Sequence, residues 1–286
     1  MKANTIHVIG ASGRSGATLC RALLARGTSI TPVIRNPHRW PTDLPGTPRL
    51  AVIEDTATLR QTLHDATQIV SCAHARHIPA ILAAAPPHAQ FVFLGSTRKF
   101  TRWPDTHGDG VLDGERAFHA SSRAGVLLHP TMIYGAQGED NVQRLAALLR
   151  RLPVVPLPAG GQALVQPIHQ HDLTQAILAA LDTSWPTPES LVVAGPTALS
   201  YADFARAIAR AAHLPPPRIV PIPPAILLAL APLTRLPFLP TIRTAEIRRL
   251  LEDKAFDITP ARVKLGFSPM SLDAGLALTF GAPPCP

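Results

Sequence analysis

Ile6-His7-Val8-Ile9-Gly10-Ala11-Ser12-Gly13-Arg14-Ser15-Gly16 runs an apolar strand straight into three glycines spaced three apart, and Ala17–Ala25 continues as a helix. A glycine pattern is weak alone, but between a strand and a helix it has a mechanism. One glycine permits the tight turn, a second lets the backbone approach a pyrophosphate, and the third, Gly16, lets helix and strand pack closely. The helix N-terminus then presents N–H groups and partial positive charge to phosphates. Gly10, Ser12, Gly13, Arg14, Ser15 and Gly16 are therefore the first candidate binding residues.

The sequence around this loop repeats the same alternation. Strands are expected at Ile6–Ile9, Ser29–Ile34, Arg49–Ile53, Gln68–Cys72, Gln90–Leu94 and Val126–His129. Helices are expected between them at Ala17–Ala25, Ala57–Asp65, Ile78–Ala84 and Leu112–Arg123, with Gly27 and Gly125 placed to end two of them. Each strand–helix–strand unit takes about 30 residues, as a right-handed crossover requires. After Tyr134-Gly135 the pattern loosens, with helices at Asn141–Arg151 and Leu173–Leu181 and a strand at Ser190–Val193. From Gly195 the text reads as helices at Tyr201–His213, Pro223–Leu233, Ile242–Asp253, Pro260–Leu265 and Ser271–Phe280. The fold expected is α/β: a doubly wound parallel-sheet Rossmann domain over 1–194, interwoven after residue 135 with a smaller, mostly helical C-terminal lobe over 195–286.

Composition narrows the function classes. Hydrophobic residues make up 46% of the 286 and charged ones 16%, which supplies a large core and excludes general disorder. The net charge of +8 comes mostly from arginines, and none forms a basic run with interleaved aromatics, so nucleic acid is not an expected partner. Cys20, Cys72 and Cys285 form no close-spaced pair, which points to a reducing compartment. No secretory h-region opens the sequence and no apolar stretch reaches a membrane span, so the expected setting is cytoplasmic. The uncharged run Ile219–Thr234 apart from its prolines is apolar and reads first as a buried lobe element, with a substrate pocket or a membrane surface as the other uses.

The glycine spacing resembles that of the short-chain dehydrogenase/reductase superfamily, in particular its extended and atypical members. His129-Pro130-Thr131-Met132-Ile133-Tyr134-Gly135 resembles their Arg-Pro-x-x-Ile-Tyr-Gly segment, and Val165-Gln166-Pro167-Ile168-His169-Gln170-His171-Asp172 their Val-x-Pro-Val-His-Val-x-Asp stretch. Glu252-Asp253-Lys254 through Leu265-Gly266-Phe267-Ser268-Pro269 looks like the tail of epimerase-like members. This resemblance spans nearly the whole chain, and it implies that Ala73, Pro130 and Ile133 also border the cofactor.

The second strand ends in Arg35-Asn36-Pro37-His38-Arg39, where an NAD-preferring site places an acid for the adenine ribose. Arg35 and Arg14 suit a 2′-phosphate, so NADP(H) is favoured over NAD(H). The segment also resembles the Val-Arg-Asn/Asp-Pro run of NADP-binding atypical members. Glu54 or Asp55 matches the acidic position that borders the adenine in that family; Asp55 is the candidate carried forward.

The resemblance breaks at the chemistry. Ordinary members use a Tyr-x-x-x-Lys pair, in which the lysine lowers the tyrosine pKa. The two tyrosines, Tyr134 and Tyr201, are followed four residues on by Gly138 and Ala205. Counting back from Glu115, which resembles the acid on the same helix of the family, the slots for the pair hold His107 and Val111. Ser96, at the end of the fifth strand, stands where the family's hydroxyl polarises a carbonyl and is the one catalytic candidate. Lys99, His107 and His74 are secondary proton donors near the same sheet edge, and exposed loop positions explain them as well. His169-x-His171-Asp172 needs no metal, because the family segment accounts for it. Two functions follow: an NADP(H)-dependent oxidoreductase acting on a small or apolar carbonyl or alcohol, or a dinucleotide-binding sensor or assembly subunit without turnover. Peripheral membrane or protein-complex contact stays open for the second, and the oligomeric state is not legible.

Overall fold

The computed structural model describes residues 5–136, 141–152, 154–226 and 248–281. Its centre is one parallel sheet of β1 (Ile6–Ile9), β2 (Ile30–Ile34), β3 (Arg49–Leu50), β4 (Gln68–Ser71), β5 (Gln90–Leu94), β6 (Gly125–Pro130) and β11 (Pro188–Val193). The strand order is β11-β6-β5-β4-β1-β2-β3. Ile6 pairs with Ile30 on one side and Gln68 on the other, so the order reverses direction at β1 and leaves a crevice at its carboxyl end.

Strands this apolar are buried on both faces. Val8, Val70, Val92 and Leu128 point to α1 (Arg14–Ala25) and α6 (Gln170–Asp182). Ile9, Ile69, Phe93 and Leu127 point the other way, to α2 (Thr56–Leu63), α3 (Ile78–Ala84) and α4 (Thr106–Ala120). On that second face Phe118 of α4 stands edge-on to Phe93, with ring centroids 5.0 Å apart, and Phe93 stacks on Phe91 at 5.1 Å.

Two sheet-side elements differ from expectation. α4 begins at Thr106 rather than Leu112, because Asp105 caps it by accepting from the His107 and Gly108 N–H groups at 3.0 and 2.9 Å. Its glycines lower helix propensity and hide that start. Gly114 is there for clearance, since a Cβ would lie 2.1 Å from the Ala75 carbonyl oxygen. β3 stops at Leu50 instead of Ile53; it is the edge strand, paired with β2 alone.

The lobe is not purely helical. To α5 (Asn141–Arg151), α7 (Tyr201–Ala211) and α9 (Leu272–Phe280) the structure adds three strand pairs. β7 (Ile133–Tyr134) pairs with β10 (Ile168–His169), β8 (Val154–Pro158) with β13 (Arg218–Ile222), and β9 (Leu164–Val165) with β12 (Leu199–Ser200). Prolines 156, 158 and 221 mask the β8–β13 pair in the sequence, yet a two-stranded ladder offers edge positions where proline is tolerated. The lobe core joins Tyr134, Val142, Leu157, Phe204, Ile208 and Leu276, while α8 (Thr259–Leu265) and Phe267 return to the sheet core. Chain segments therefore cross between the two bodies more than once. The expected helices Pro223–Leu233 and Ile242–Asp253 lie largely outside the described residues.

Removing the Phe118 ring opens a cavity against two fixed strands. Phe118→Ala is expected to cost about 3–5 kcal/mol, read as a drop in the urea midpoint at unchanged m-value.

Candidate active site

The glycine loop is closed by its own backbone. Gly10 takes a φ of +76°, donates its N–H to the Val33 carbonyl at 3.0 Å, and accepts from the Gly13 N–H at 2.9 Å. A Cβ on Gly16 would sit 2.2 Å from the Gly10 oxygen, so only glycine lets α1 start there. Gly13 forms the N-cap without a side-chain hydrogen bond, and the first turn of α1 holds no acidic residue. The positive end of the helix dipole thus has no carboxylate from its own first turn beside it.

A cleft of about 580 Å³ opens over this loop. Of the residues named from the sequence, Gly10, Ser12, Gly13, Arg35, Glu54 and Ala73 line it. Gly16 lies buried beneath, Arg14 is exposed in the first turn, and the Ser15 hydroxyl reaches Gln170 Oε1 at 3.4 Å. Asp55 is occupied elsewhere: its carboxylate caps α2, accepting from the Thr58 N–H at 3.2 Å and the Thr58 hydroxyl at 2.5 Å. The acid on the cleft wall is Glu54, 3.4 Å from His77 Nδ1. Arg39, Asn36 and His77 also line the cleft and were not singled out in the sequence. The signal for Arg39 was present, one short turn beyond Arg35 in the same basic segment. Neither Arg35 nor Arg39 makes an ion pair among the described residues.

Ser96, Pro130 and Ile133 gather at the carboxyl ends of β5 and β6, on the other side of β4. Ser96 Oγ accepts from the Arg98 N–H at 3.2 Å, capping a short turn over Thr97–Phe100. The Thr97 hydroxyl donates to the Pro130 carbonyl at 3.3 Å, and Ile133 packs on the sheet core. His107 opens α4 beside them with its ring edge-on to His74, centroids 4.2 Å apart. His74 Nδ1 accepts from the Arg76 N–H at 3.1 Å. Burial, then the neighbouring His107 and Arg76, lower His74 to about 4. Burial and Arg98 lower His107 as well. Asp105 below them is raised by burial, but the Gly108 N–H and the Arg98 guanidinium bring it down to about 2.

Lys99 is committed inside the protein. Its Nζ donates to both Glu115 oxygens at 2.6 and 2.5 Å and lies 3.3 Å from His129 Nε2. His129 Nε2 is also 3.2 Å from Glu115 Oε1. Burial works against the Glu115 charge, yet His129 and Lys99 hold its carboxyl well below the usual range. The other sequence candidates are structural too. His169 caps α6 by accepting from the His171 N–H at 3.2 Å, and Asp172 accepts from the Met270 N–H at 3.2 Å. Tyr134 is fully buried in the lobe core, where burial raises its hydroxyl pKa.

No protein-family model and no curated protein matches the sequence. Solved structures do. A UDP-glucose 4-epimerase from Thermotoga maritima, solved with UDP-glucose, is 15% identical with a TM-score of 0.75, covering 96% of this chain and 97% of its own. A UDP-glucuronic acid 4-epimerase from Bacillus cereus in complex with NAD is 17% identical with a TM-score of 0.71, covering 96% and 95%. A nucleoside-diphosphate-sugar epimerase from Pseudomonas aeruginosa is 20% identical with a TM-score of 0.72, again over 96% and 95%. The chain shares its fold with these structures over nearly its whole length.

The Glu115 carboxyl titrates below its unfolded value of 4.5, so its stabilisation is complete above that pH and fades as pH falls further. Glu115→Gln is therefore expected to destabilise the protein by about 2–4 kcal/mol at pH 7, since it leaves Lys99 buried without its counter-charge. The deficit should narrow below about pH 4.5, as read by denaturation at a series of pH values.

Proposed function

We propose that the protein is an NADP(H)-dependent oxidoreductase of the short-chain dehydrogenase/reductase type, acting on a small carbonyl or alcohol. The observation that carries this reading is the cleft itself, in which an uncapped helix start faces two unpaired guanidiniums. The residues fit a dinucleotide: Gly10, Ser12 and Gly13 leave room for a pyrophosphate, Glu54 and Ala73 border the adenosine side, and Arg35 with Arg39 takes the 2′-phosphate. A solved UDP-glucuronic acid 4-epimerase of this fold is in complex with NAD, which supports the cofactor class. A cytoplasmic setting suits the two described cysteines, Cys20 and Cys72, which are both free thiols.

NADP(H), when held by the cleft residues, would supply or take up hydride. Within the chain, the Ser96 hydroxyl orients and polarises the substrate oxygen. His107 replaces the family tyrosine in the first turn of α4 and exchanges the proton, since Lys99 is held by Glu115 and His129. Val111 fills the lysine slot and is buried at 1% exposure, so no cation on α4 assists. That absence favours a second reading, an NADP(H)-binding sensor or assembly subunit without turnover.

Arg35→Ala is expected to weaken NADPH binding at least ~10-fold and NADH binding little, because a charge-assisted bond contributes about 1.5–3 kcal/mol. Calorimetry with both cofactors reads the difference; equal losses would reject the 2′-phosphate assignment.

A carbonyl screen for NADPH oxidation tests turnover. Once a substrate is in hand, Ser96→Ala is expected to lower kcat ~100-fold, as loss of an aimed donor does. Tyr134→Phe should cost less than ~10-fold. Tight NADPH binding with no turnover across the screen would select the second reading.

A further inference from the structure

Charge in this chain is divided unevenly. The stretches 141–171 and 204–245 contain no Asp or Glu, and their eight arginines equal the entire formal excess of +8. Elsewhere basic and acidic residues balance. Arg206 and Arg210 are neutralised by Asp203 at 2.8 Å and Asp273 at 3.8 Å. Arg144, Arg150, Arg151 and Arg218 make no ion pair among the described residues.

These free arginines sit beside exposed aliphatic side chains. At about 100° per residue, Arg144, Leu148 and Arg151 fall on one side of α5, opposite the buried Val142, Ala146 and Leu149, and Leu152, just past the helix end, continues that arc to roughly 100°. Leu148 and Leu152 are 39% and 45% exposed, against the usual burial of leucine. Val154, the first residue of β8, is 43% exposed and pairs in register with Arg218 of β13. Val220, two residues along the same outward face, is 37% exposed. α5 and the β8–β13 pair thus each expose aliphatic side chains together with arginines that make no ion pair among the described residues.

We propose that this lobe face docks on the surface of an anionic lipid bilayer. Both halves of the patch are used there: guanidiniums pair with lipid phosphates, and the leucines and valines enter the headgroup–acyl boundary. A nucleic acid would satisfy the arginines but leave the four aliphatic side chains in water. Attachment is peripheral, since no helix among the described residues is long and apolar enough to cross a membrane. The face lies on the lobe, while the cofactor cleft lies at the sheet edge, so the inference stands whether or not the protein turns over a substrate.

The test is co-sedimentation of the full-length protein with vesicles of phosphatidylcholine alone or mixed equally with phosphatidylglycerol. Binding is expected only to the mixed vesicles, and it should weaken as salt rises. Arg144→Glu with Arg151→Glu should reduce the apparent affinity at least ~10-fold, and Leu148→Ser with Leu152→Ser by a comparable factor. Unchanged thermal melting of both variants shows that the fold survives, because all four side chains are exposed. No binding to the mixed vesicles would overturn the proposal. Binding unaffected by the leucine pair would also overturn it, by showing charge attraction without insertion. Self-association that the leucine pair abolishes, without vesicle binding, would assign the face to a second copy of the chain instead.

Discussion

A van der Waals limit inside the glycine loop governs the architecture. The Gly16 Cα approaches the Gly10 carbonyl so closely that no side chain fits between them. That approach seats α1 on β1 and fixes where its first turn points. Because β1 also has β2 on one side and β4 on the other, the helix start faces the crevice where the strand order reverses. The adjoining cleft inherits Arg35 from the end of β2 and Ala73 from the end of β4 without further design. On the proposed reading, cofactor selectivity would rest on which side chains finish two strands, and cofactor placement on backbone contact.

The other end of the crevice is built on different terms. There the Lys99–Glu115 ion pair and the buried His129 are enclosed together beneath the sheet edge. Gly95 makes room for the imidazole, since a Cβ would stand 2.5 Å from His129 Nδ1. Nearby, His74 and His107 meet edge to face, and burial, then the neighbouring charges, disfavours their protonation. The slot that the family resemblance assigns to a tyrosine holds His107, and the slot for its lysine holds the buried Val111.

The sheet was legible because its strands are apolar on both faces and its turns carry glycine. β1, β5, α3 and α5 stand where the sequence puts them, and most remaining errors are of one to three residues. What escaped has physical reasons. The start of α4 was hidden by glycines that serve close packing, and a capping carboxylate looks like any loop aspartate. The β8–β13 pair carries prolines, so its period-2 pattern reads as loop. Within the site, spacing separated poorly between neighbours: Asp55 and Glu54 are adjacent, and only the helix start at Thr56 decides which of them caps and which faces the cleft. Lys99 looked like an available loop cation because its partners are 16 and 30 residues away in sequence.

The interleaved lobe also bears on how the chain is made. Tyr134 packs under α9, where its hydroxyl donates to the Leu272 carbonyl across a separation of 138 residues. A Cβ on Gly275 would lie 2.1 Å from that hydroxyl, so the last helix acts as a fitted plug. During synthesis, at about 5–20 residues per second, the apolar side chains of 134–165 wait on the order of 10 s before α9 emerges to cover them. The sheet has most of its partners by then, but the lobe does not. The nascent protein thus passes through a stage with its parallel sheet paired but its lobe open, an apolar seam of the kind chaperones bind.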